Sequence, residues 1–390
     1  MNPMQILFDY QAFELQRIGG VSRSYAEIIS NLAKMGQRCI VGVKESDNVY
    51  LKGKAWAGKV RPQGYFHRRL FEGEKLFKGQ RHLTEKTMGL LGYGDRCQQM
   101  NRDYCVKLLE KQRFDVFEPT FFDSYFLPYL KGKPFVMTVH DMIPELFPDS
   151  FSREDFQIIQ KRNLCPKAAH IHVPSEKTKE DLVNILGISP EKVTVVPHGS
   201  PKLISEESLR KPHFGFPYIL YVGDRFGYKN FGKFIKECSY IIGKQSDVRV
   251  VCTGKPFSEQ EEKLVFESGI ADKVENVFAS EELLQNLYRH ALAFVYPSSY
   301  EGFGIPILEA FVCGCPVMLN SASCFPEIAG DAAVYFDMEK DGDLYEKFVD
   351  FYTAGTEDRE GMIHKGRQRS KLYSWDKAAA QMVAIYDSLS

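Results

Sequence analysis

The sequence has no excess of charge of either sign, which narrows the partners that can be expected. Its 390 residues contain 50 Lys and Arg against 51 Asp and Glu, so the formal net charge at pH 7 is −1. Proteins that bind nucleic acid by neutralising its phosphates usually carry a basic excess. The composition therefore predicts no nucleic-acid partner.

Paired cysteines and long apolar runs are also lacking. The nine cysteines include no C-x-x-C pair, so neither a zinc ribbon nor a dithiol redox centre is predicted, and reduced thiols are expected. No apolar run approaches the roughly 18 residues of a membrane span. The N-terminus lacks the basic region and apolar stretch of a secretory signal. We expect a cytoplasmic protein. If it contacts a membrane, we expect peripheral binding on the inner face of the cytoplasmic membrane.

Short apolar runs alternate with amphipathic stretches along most of the chain, as expected for parallel strands with helices on both faces. The cycle begins twice, which predicts an α/β protein of two Rossmann-like doubly wound domains, at 1–199 and 217–373, joined by a linker at 200–216. The predicted strands are 6–8, 39–43, 116–117, 135–139, 171–173, 218–222, 248–252, 294–296 and 317–319. The predicted helices are 21–35, 177–186, 230–242, 281–290 and 306–312.

The segment 51–113 interrupts this rhythm and is locally basic. It contains 15 Lys and Arg against six Asp and Glu. Phe66, Leu70 and Phe77 fall on one side at helical spacing. Two interpretations fit this pattern: an amphipathic helix packed on its own domain, and a surface for anionic lipid headgroups or an anionic acceptor.

The most informative stretch follows the third predicted strand of the second domain. A loop there contains Gly302 and Gly304, and a helix opens near Pro306, where the missing N–H of proline costs little. The glycines let backbone amides approach a ligand closely, and a helix N-terminus attracts negative charge. The pattern indicates a site for a phosphate or a sugar phosphate. Glu301 in the loop and Glu309 in the first helical turn are expected to face the same cleft.

Glu301 and Glu309, with seven residues between them, resemble the E-x7-E signature of the retaining glycosyltransferases of family 4, which have the GT-B fold of two domains facing across a cleft. The flanking Glu301-Gly-Phe-Gly-Ile-Pro and the later Pro326-Glu-Ile-Ala-Gly-Asp agree with that family. The resemblance covers most of the chain and is weakest over 51–113. It implies that Glu301 holds donor-sugar hydroxyls and Glu309 the ribose hydroxyls. The implied donor-sugar and nucleotide site comprises Glu301, Gly302, Phe303, Gly304, Ile305 and Glu309.

Four other residues match family motifs for the donor diphosphate. Arg225 and Lys229 follow the first strand of the second domain, at the positions where the family binds the diphosphate. A guanidinium and an ammonium neutralise such a leaving group well. Gly19 and Gly20 resemble the N-terminal glycine loop of the family, whose amides face the donor phosphate. Their spacing is not that of a G-x-G-x-x-G dinucleotide fingerprint, which disfavours a nicotinamide dehydrogenase.

His140 closes a predicted strand of the first domain, at the edge where open α/β sheets bind ligands. It resembles the family His that contacts the transferred sugar, and the alternative is a turn histidine beside a capping Asp141. His198 matches a hinge motif of the family and is interpreted as a hinge residue. Glu327 and Asp331 are interpreted as structural residues.

Two C-terminal features are also interpreted as structural. Asp341 and Asp343 form a D-x-D pair that elsewhere binds metal, but an apolar helical pattern follows it, so we predict helix N-capping. The segment 374–390 resembles the terminal helix of the family. It is predicted to be capped by Ser374 and to cross back onto the first domain. No metal site and no cofactor are predicted.

The resemblance implies a metal-independent, retaining hexosyltransferase with His140 and Glu301 in catalysis. Within the family, the chain most resembles mannosyl-type transferases of cell-surface polysaccharide and lipopolysaccharide biosynthesis. This resemblance favours GDP-mannose as donor. The expected acceptor is a glycan, or a glycan linked to polyprenyl diphosphate. A UDP-sugar-dependent transferase of the same family and a non-catalytic nucleotide-sugar-binding subunit are the alternatives. The extended block around Glu301 disfavours a GT-B phosphorylase or epimerase.

Overall fold

The first domain is built on short, buried parallel strands. The computed structural model describes residues 3–62, 95–204, 206–207 and 209–389. The strands are β1 (Gln5–Phe8), β2 (Arg38–Val41), β3 (Val116–Glu118), β4 (Val136–Thr138), β5 (His170–Val173) and β6 (Val193–Val195). They pair in the orders β2-β1-β3 and β4-β5-β6, and a bridge between Phe117 and Phe135 links the two groups. Five of the six were predicted to within two residues, and β6 was not predicted.

The second domain contains one six-stranded parallel sheet. Its strands are β7 (Tyr218–Val222), β8 (Arg249–Thr253), β9 (Val274–Val277), β10 (Ala293–Tyr296), β11 (Val317–Asn320) and β12 (Val334–Phe336). They are arranged in the order β12-β11-β10-β7-β8-β9. The central strands β10 and β11 are buried along their whole length, as expected for a sheet covered by helices on both faces. The α/β fold with two Rossmann-like domains is confirmed.

Helices cover both sheets. In the first domain they are α1 (Gln11–Leu15), α2 (Gly20–Lys34), α3 (Asp95–Glu110), α4 (Ile143–Leu146), α5 (Phe156–Leu164) and α6 (Glu176–Leu186). In the second domain they are α7 (Phe231–Lys244), α8 (Glu259–Glu267), α9 (Glu281–His290), α10 (Ile305–Cys313), α11 (Phe325–Ala329), α12 (Asp343–Thr353) and α13 (Thr356–Ser370). The five predicted helices correspond to α2, α6, α7, α9 and α10.

The last helix, α14 (Trp375–Asp387), returns to the first domain. Ser374 caps it by accepting a hydrogen bond from the N–H of Lys377 at 3.1 Å. Its apolar face packs against α2 and enters the core of the first domain. At its end, the hydroxyl of Tyr386 donates to the buried carboxylate of Glu118.

The chain crosses between the domains twice, and the two crossings lie side by side. Ser200 donates from its N–H to the carbonyl oxygen of Tyr373 at 3.1 Å and from its Oγ to that of Ser370 at 2.7 Å. A Cβ on Gly199 would lie 2.3 Å from the backbone nitrogen of Trp375, so the close approach of the two strands of chain requires glycine. The buried ring of His198 lies at this point, 5.6 Å from that of Trp375.

No helix in the described parts of the chain is long and apolar enough to cross a membrane. Phe66, Leu70 and Phe77 lie outside the described residues. The amphipathic helix of the basic segment therefore stays a prediction.

Candidate active site

The carboxyl ends of β7 and β10 lie next to each other where the strand order of the second sheet reverses. The helices that follow such strands leave on opposite faces of the sheet, which opens a crevice for a ligand. The loop after β7 carries Arg225 and Lys229, and the loop after β10 carries Glu301. The topology therefore brings two predicted phosphate-binding cations and the predicted sugar-binding carboxylate to one crevice.

Lys229 and Glu301 form an ion pair inside this crevice, where their side chains are only 15% and 11% exposed. Asn230 holds the two loops together. Its backbone adopts the left-handed conformation, with φ 55°, and its amide donates to the carbonyl oxygen of Pro297 and to Ser299 Oγ, both at 2.8 Å. Removing one partner of a buried ion pair typically costs about 3–5 kcal/mol, so each charge of the pair stabilises the other.

The Arg225 guanidinium is held by the segment that follows β8. Its Nε donates to Glu261 Oε1 at 2.7 Å. Its Nη2 donates to the carbonyl oxygens of Lys255 and Pro256 at 2.7 and 3.1 Å. Its Nη1 is buried and has no hydrogen-bond partner among the described residues. This nitrogen is thus left to donate to a ligand, and phosphate oxygens are acceptors that a guanidinium binds strongly.

Glu309 was predicted in the first turn of its helix and lies just beyond that turn. It is the fifth residue of α10 and not part of the first turn, because the helix begins directly after Gly304, whose φ of 88° requires glycine. The Glu309 carboxylate accepts hydrogen bonds from Arg23 Nη1 at 2.8 Å and from the Tyr288 hydroxyl at 3.3 Å. Burial raises the pKa of Glu309, and the Arg23 guanidinium opposes that rise. The carboxylate can accept further hydrogen bonds from hydroxyl groups.

Arg23 was not among the predicted site residues, although it contacts two carboxylates of the second domain. It is the fourth residue of α2. Besides Glu309, it binds Glu281, with 2.9 Å between Nη2 and Oε1, and its side chain is only 17% exposed. An arginine after two glycines has no distinctive spacing in the sequence. Only the tertiary contact across the cleft identifies it.

The glycine loop lies against the start of α10. Gly19 is the N-cap residue of α2, and a Cβ on Gly20 would lie 3.9 Å from Ile305 Cδ1. The first amides of a helix have no partner within the helix and can bind an anion. Phe303, in the loop before α10, packs edge to face on His198 with 5.0 Å between ring centroids.

His140 lies on the opposite wall of the cleft, two residues after β4. Its ring meets Tyr25 edge to face at 5.8 Å and lies 6.0 Å from the ring of His198. Its Nε2 is buried and has no hydrogen-bond partner in the described ranges. Burial and then the neighbouring His198 hold the pKa of His140 well below its ordinary value. The imidazole is therefore neutral near pH 7. Asp141 accepts from the N–H of Ile143 at 3.1 Å, so the capped turn also exists.

Gly302 docks the Glu301 loop onto the first domain. Its carbonyl oxygen accepts hydrogen bonds from Ser175 Oγ at 2.7 Å and from Thr178 Oγ1 at 3.2 Å, at the start of α6. A Cβ at this position would lie 1.9 Å from the carbonyl oxygen of His140. Only glycine therefore permits this approach, which brings the Glu301 loop and His140 together.

Two further contacts tie α6 to the second domain. The Tyr300 hydroxyl donates to Asp181 Oδ2 at 2.7 Å. The Glu327 carboxylate accepts from the backbone N–H groups of Glu176 at 3.0 Å and of Lys177 at 3.4 Å. A negative charge is favourable at the N-terminus of a helix. Glu327 therefore links the second domain to the N-terminus of α6.

Asp341 and Asp343 have structural partners, but the prediction that they cap their helix is wrong. The N-cap residue is Gly342, and the buried carboxylate of Glu237 accepts from two N–H groups at the start of α12, at 2.7 and 3.0 Å. Asp343 accepts from an upstream N–H at 2.8 Å, and Asp341 pairs with a surface lysine at 2.7 Å. Asp331 pairs with a lysine of α13 at 2.9 Å. Within the described residues no group of three or more His, Cys, Asp or Glu is arranged to hold a metal ion.

Acidification is expected to destabilise the protein through His198. Burial lowers the pKa of His198 to about 3 from the ordinary value of 6.5. Between these values the unfolded chain binds a proton that the folded protein does not, so the free energy of unfolding falls by about 1.4 kcal/mol for each pH unit below about 6.5. Chemical denaturation measures the free energy of unfolding at pH 7.5 and at pH 5.0. The decrease between these two values should be smaller by about 2 kcal/mol in His198→Asn than in the wild type. Equal differences in the two proteins would contradict this prediction.

Comparison with known proteins assigns a family to each domain. Residues 18–200 match the family described as Glycosyltransferase Family 4, and residues 205–369 match the family described as Glycosyl transferases group 1. The fold and the crevice define a protein of the GT-B class. The chain belongs to the family 4 and group 1 glycosyltransferases.

Curated relatives are similar over part of the chain. The O-antigen chain mannosyltransferase RfbU of Salmonella typhimurium is 28% identical over 210 residues, which are 54% of this chain and 58% of that protein. The MMP alpha-(1->4)-mannosyltransferase of Mycolicibacterium hassiacum is 26% identical over 249 residues, 60% of this chain and 57% of that protein. The chain thus spans little more than half the length of these relatives.

Solved structures agree in fold along nearly the whole chain. WaaG, a glycosyltransferase involved in lipopolysaccharide biosynthesis, superposes with a TM-score of 0.66 at 14% identity, covering 97% of this chain and 99% of WaaG. HepE of Anabaena, solved with UDP and glucose, gives a TM-score of 0.72 at 15% identity, covering 99% of this chain and all of that one. At these identities the likeness concerns the fold.

Proposed function

We propose that the protein transfers a hexose, with retention at the anomeric carbon, from a nucleotide-diphosphate sugar to a hydroxyl group of a glycan or of a polyprenyl-diphosphate-linked glycan. The observation that carries this proposal is the Lys229–Glu301 ion pair at the strand-order reversal, opposite the neutral imidazole of His140. The proposed donor is GDP-mannose and the transferred sugar is mannose. Relatives that are named as mannosyltransferases support this choice.

The proposed chemistry follows from where charge develops. As the glycosidic bond breaks, the departing diphosphate becomes more negative, and Lys229 and the free Nη1 of Arg225 stabilise it. Glu301 accepts hydrogen bonds from the sugar hydroxyls and Glu309 from the ribose, while His140 holds the sugar from the other domain. Attack on the front face lets a donor phosphate oxygen take the proton of the acceptor. This route needs neither the carboxylate nucleophile of retaining glycosidases nor a metal.

A basic groove on the first domain supports an anionic acceptor. It has a volume of about 680 Å³ and lies beyond the carboxyl end of β2. Its charged lining residues are Lys44, Lys59, Arg61, Lys107 and Asp103. Such a surface attracts the diphosphate of a lipid carrier and the anionic headgroups of a membrane. We propose peripheral binding at the inner face of the membrane on this basis.

A thermal-shift panel of GDP-mannose and UDP-sugars, with magnesium and with chelator, tests the donor. A ligand at a hundredfold excess over its Kd stabilises the fold by about 2.7 kcal/mol, so GDP-mannose should raise the Tm equally with and without chelator. NMR of the first-formed product with a lipid-linked acceptor should show the anomeric configuration of the donor. A rise in Tm with UDP-sugars alone would show that the donor is a UDP-sugar and not GDP-mannose. Binding without transfer to any acceptor would favour the non-catalytic subunit.

A further inference from the structure

Three cations line the cleft, and each of them is neutralised by carboxylates of the protein itself. The pairs are Lys229 with Glu301, Arg225 with Glu261, and Arg23 with Glu309 and Glu281. Apart from the unpartnered Nη1 of Arg225, these cations become available to a diphosphate only if their pairs exchange partners. The pairs themselves therefore indicate which cations a donor would release.

In both the Lys229–Glu301 and the Arg23–Glu309 pair, a cation binds a carboxylate that is proposed to accept hydrogen bonds from hydroxyl groups of the donor. In the first, the carboxylate is the group proposed to bind sugar hydroxyls, so a bound sugar would free Lys229 for phosphate. In the second, the carboxylate is the group proposed to bind the ribose. A bound ribose would therefore free the guanidinium of Arg23 in the same way.

Arg23 is placed where a released guanidinium would meet phosphate. It stands three residues after Gly20, in the first turns of the helix whose N-terminus lies against α10. Its side chain already reaches across the cleft, with 2.8 Å between its Nη1 and Glu309 Oε1. Displaced from Glu309, it would keep only Glu281, whose side chain is 52% exposed, and its Nη1, in a side chain only 17% exposed, would need a new anionic partner. Phosphate offers two oxygens that match its fork.

We propose that Arg23 is a donor-binding residue: the ribose displaces it from Glu309, and it then binds the diphosphate together with Arg225 and Lys229. This inference rests on the proposed function. The exchange makes the first domain a direct contributor to the phosphate site, through a side chain as well as through backbone amides.

Calorimetric titration with a nucleoside diphosphate and with its nucleoside separates phosphate binding from ribose binding. GDP and guanosine, and UDP and uridine, are titrated into the wild-type chain and its variants. Arg23→Ala should lower the ratio of diphosphate affinity to nucleoside affinity about tenfold, and Lys229→Ala should lower it similarly. Arg249→Ala is the matched control. It removes an arginine–glutamate pair, 3.3 Å from Glu275, at the amino edge of the second sheet, and should leave the ratio unchanged.

The outcomes separate this inference from the proposed function. If Lys229→Ala lowers the ratio but Arg23→Ala leaves it within twofold of the wild type, Arg23 does not bind phosphate and the inference is overturned alone. If no nucleotide binds the wild-type chain, or Lys229→Ala has no effect, the proposed function fails and this inference with it. Arg23→Lys keeps the charge without the fork and should recover part of the ratio. Circular dichroism confirms that each variant is folded.

Discussion

Replacing Lys229 by alanine is expected to lower the rate of sugar transfer by about 10²–10³-fold, the range found when one preorganised group that stabilises a developing anion is removed. The ammonium lies in the crevice at 15% exposure beside Glu301, and its loss would leave that carboxylate without its counter-charge. The leaving diphosphate gains charge mainly in the transition state. The value of kcat should therefore fall more than KM for the donor rises, as steady-state rates with GDP-mannose would measure.

The matched control is Lys233→Ala, one turn along the helix that follows. Lys233 pairs with Glu339 at the surface, where the two side chains are 47% and 75% exposed. Surface ion pairs of this kind contribute about 0–1 kcal/mol, so transfer should stay within about twofold of the wild type. A similar loss in both variants, or a Lys229→Ala rate close to that of the wild type, would show that Lys229 has no part in the reaction.

Gly302→Ala is expected to reduce transfer by about 100-fold while leaving both domains folded. The added methyl carbon would meet the carbonyl oxygen of His140 at 1.9 Å, which no rotamer change can relieve because the backbone fixes the positions of both atoms. The Glu301 loop must then move away from the first domain. A displacement of about 1 Å in a reacting site is enough for such a loss. Small-angle scattering should show a larger radius of gyration, and kcat should fall.

Gly243→Ala serves as the control for that substitution. Gly243 is inside α7, with no atom within 4 Å of an added Cβ, so alanine should be tolerated and should stabilise the helix by about 0.5–1 kcal/mol. If Gly302→Ala keeps both the rate and the scattering profile of the wild type, the closed contact with His140 is not needed for transfer.

Strands that are buried on both faces, such as β7 and β10, could be predicted because they are read directly as apolar runs. The less buried β6, β9 and β12 were not predicted. Helix α13 could not be predicted either, since its sequence has few apolar residues and includes Gly361 and Gly366, which lower helix propensity. The tertiary structure explains one of these glycines: a Cβ on Gly366 would lie 2.5 Å from a ring carbon of Phe311. Packing between α13 and α10 thus overrides the local preference.

The candidate site could also be predicted only in part from the sequence. Glu301 and Lys229 could be assigned to one crevice because each follows a strand of a recognisable sheet. The contact of Arg23 with Glu309 joins residues 286 positions apart on different domains, and no local pattern encodes it. The cap of α12 was mispredicted for the same reason. Its N–H groups are bound by Glu237, which lies on a neighbouring helix 105 positions upstream of Gly342.

Because α14 returns to the first domain, the core of that domain can be completed only late in the synthesis of the chain. Glu118 is fully buried and receives the hydroxyl of Tyr386, 268 positions later in the chain. A ribosome adds about 5–20 residues per second, so the interval between the two is on the order of tens of seconds. During translation the first domain waits with an uncovered apolar face for its last helix. The first domain, although synthesised first, therefore completes its core only after the whole second domain has been synthesised.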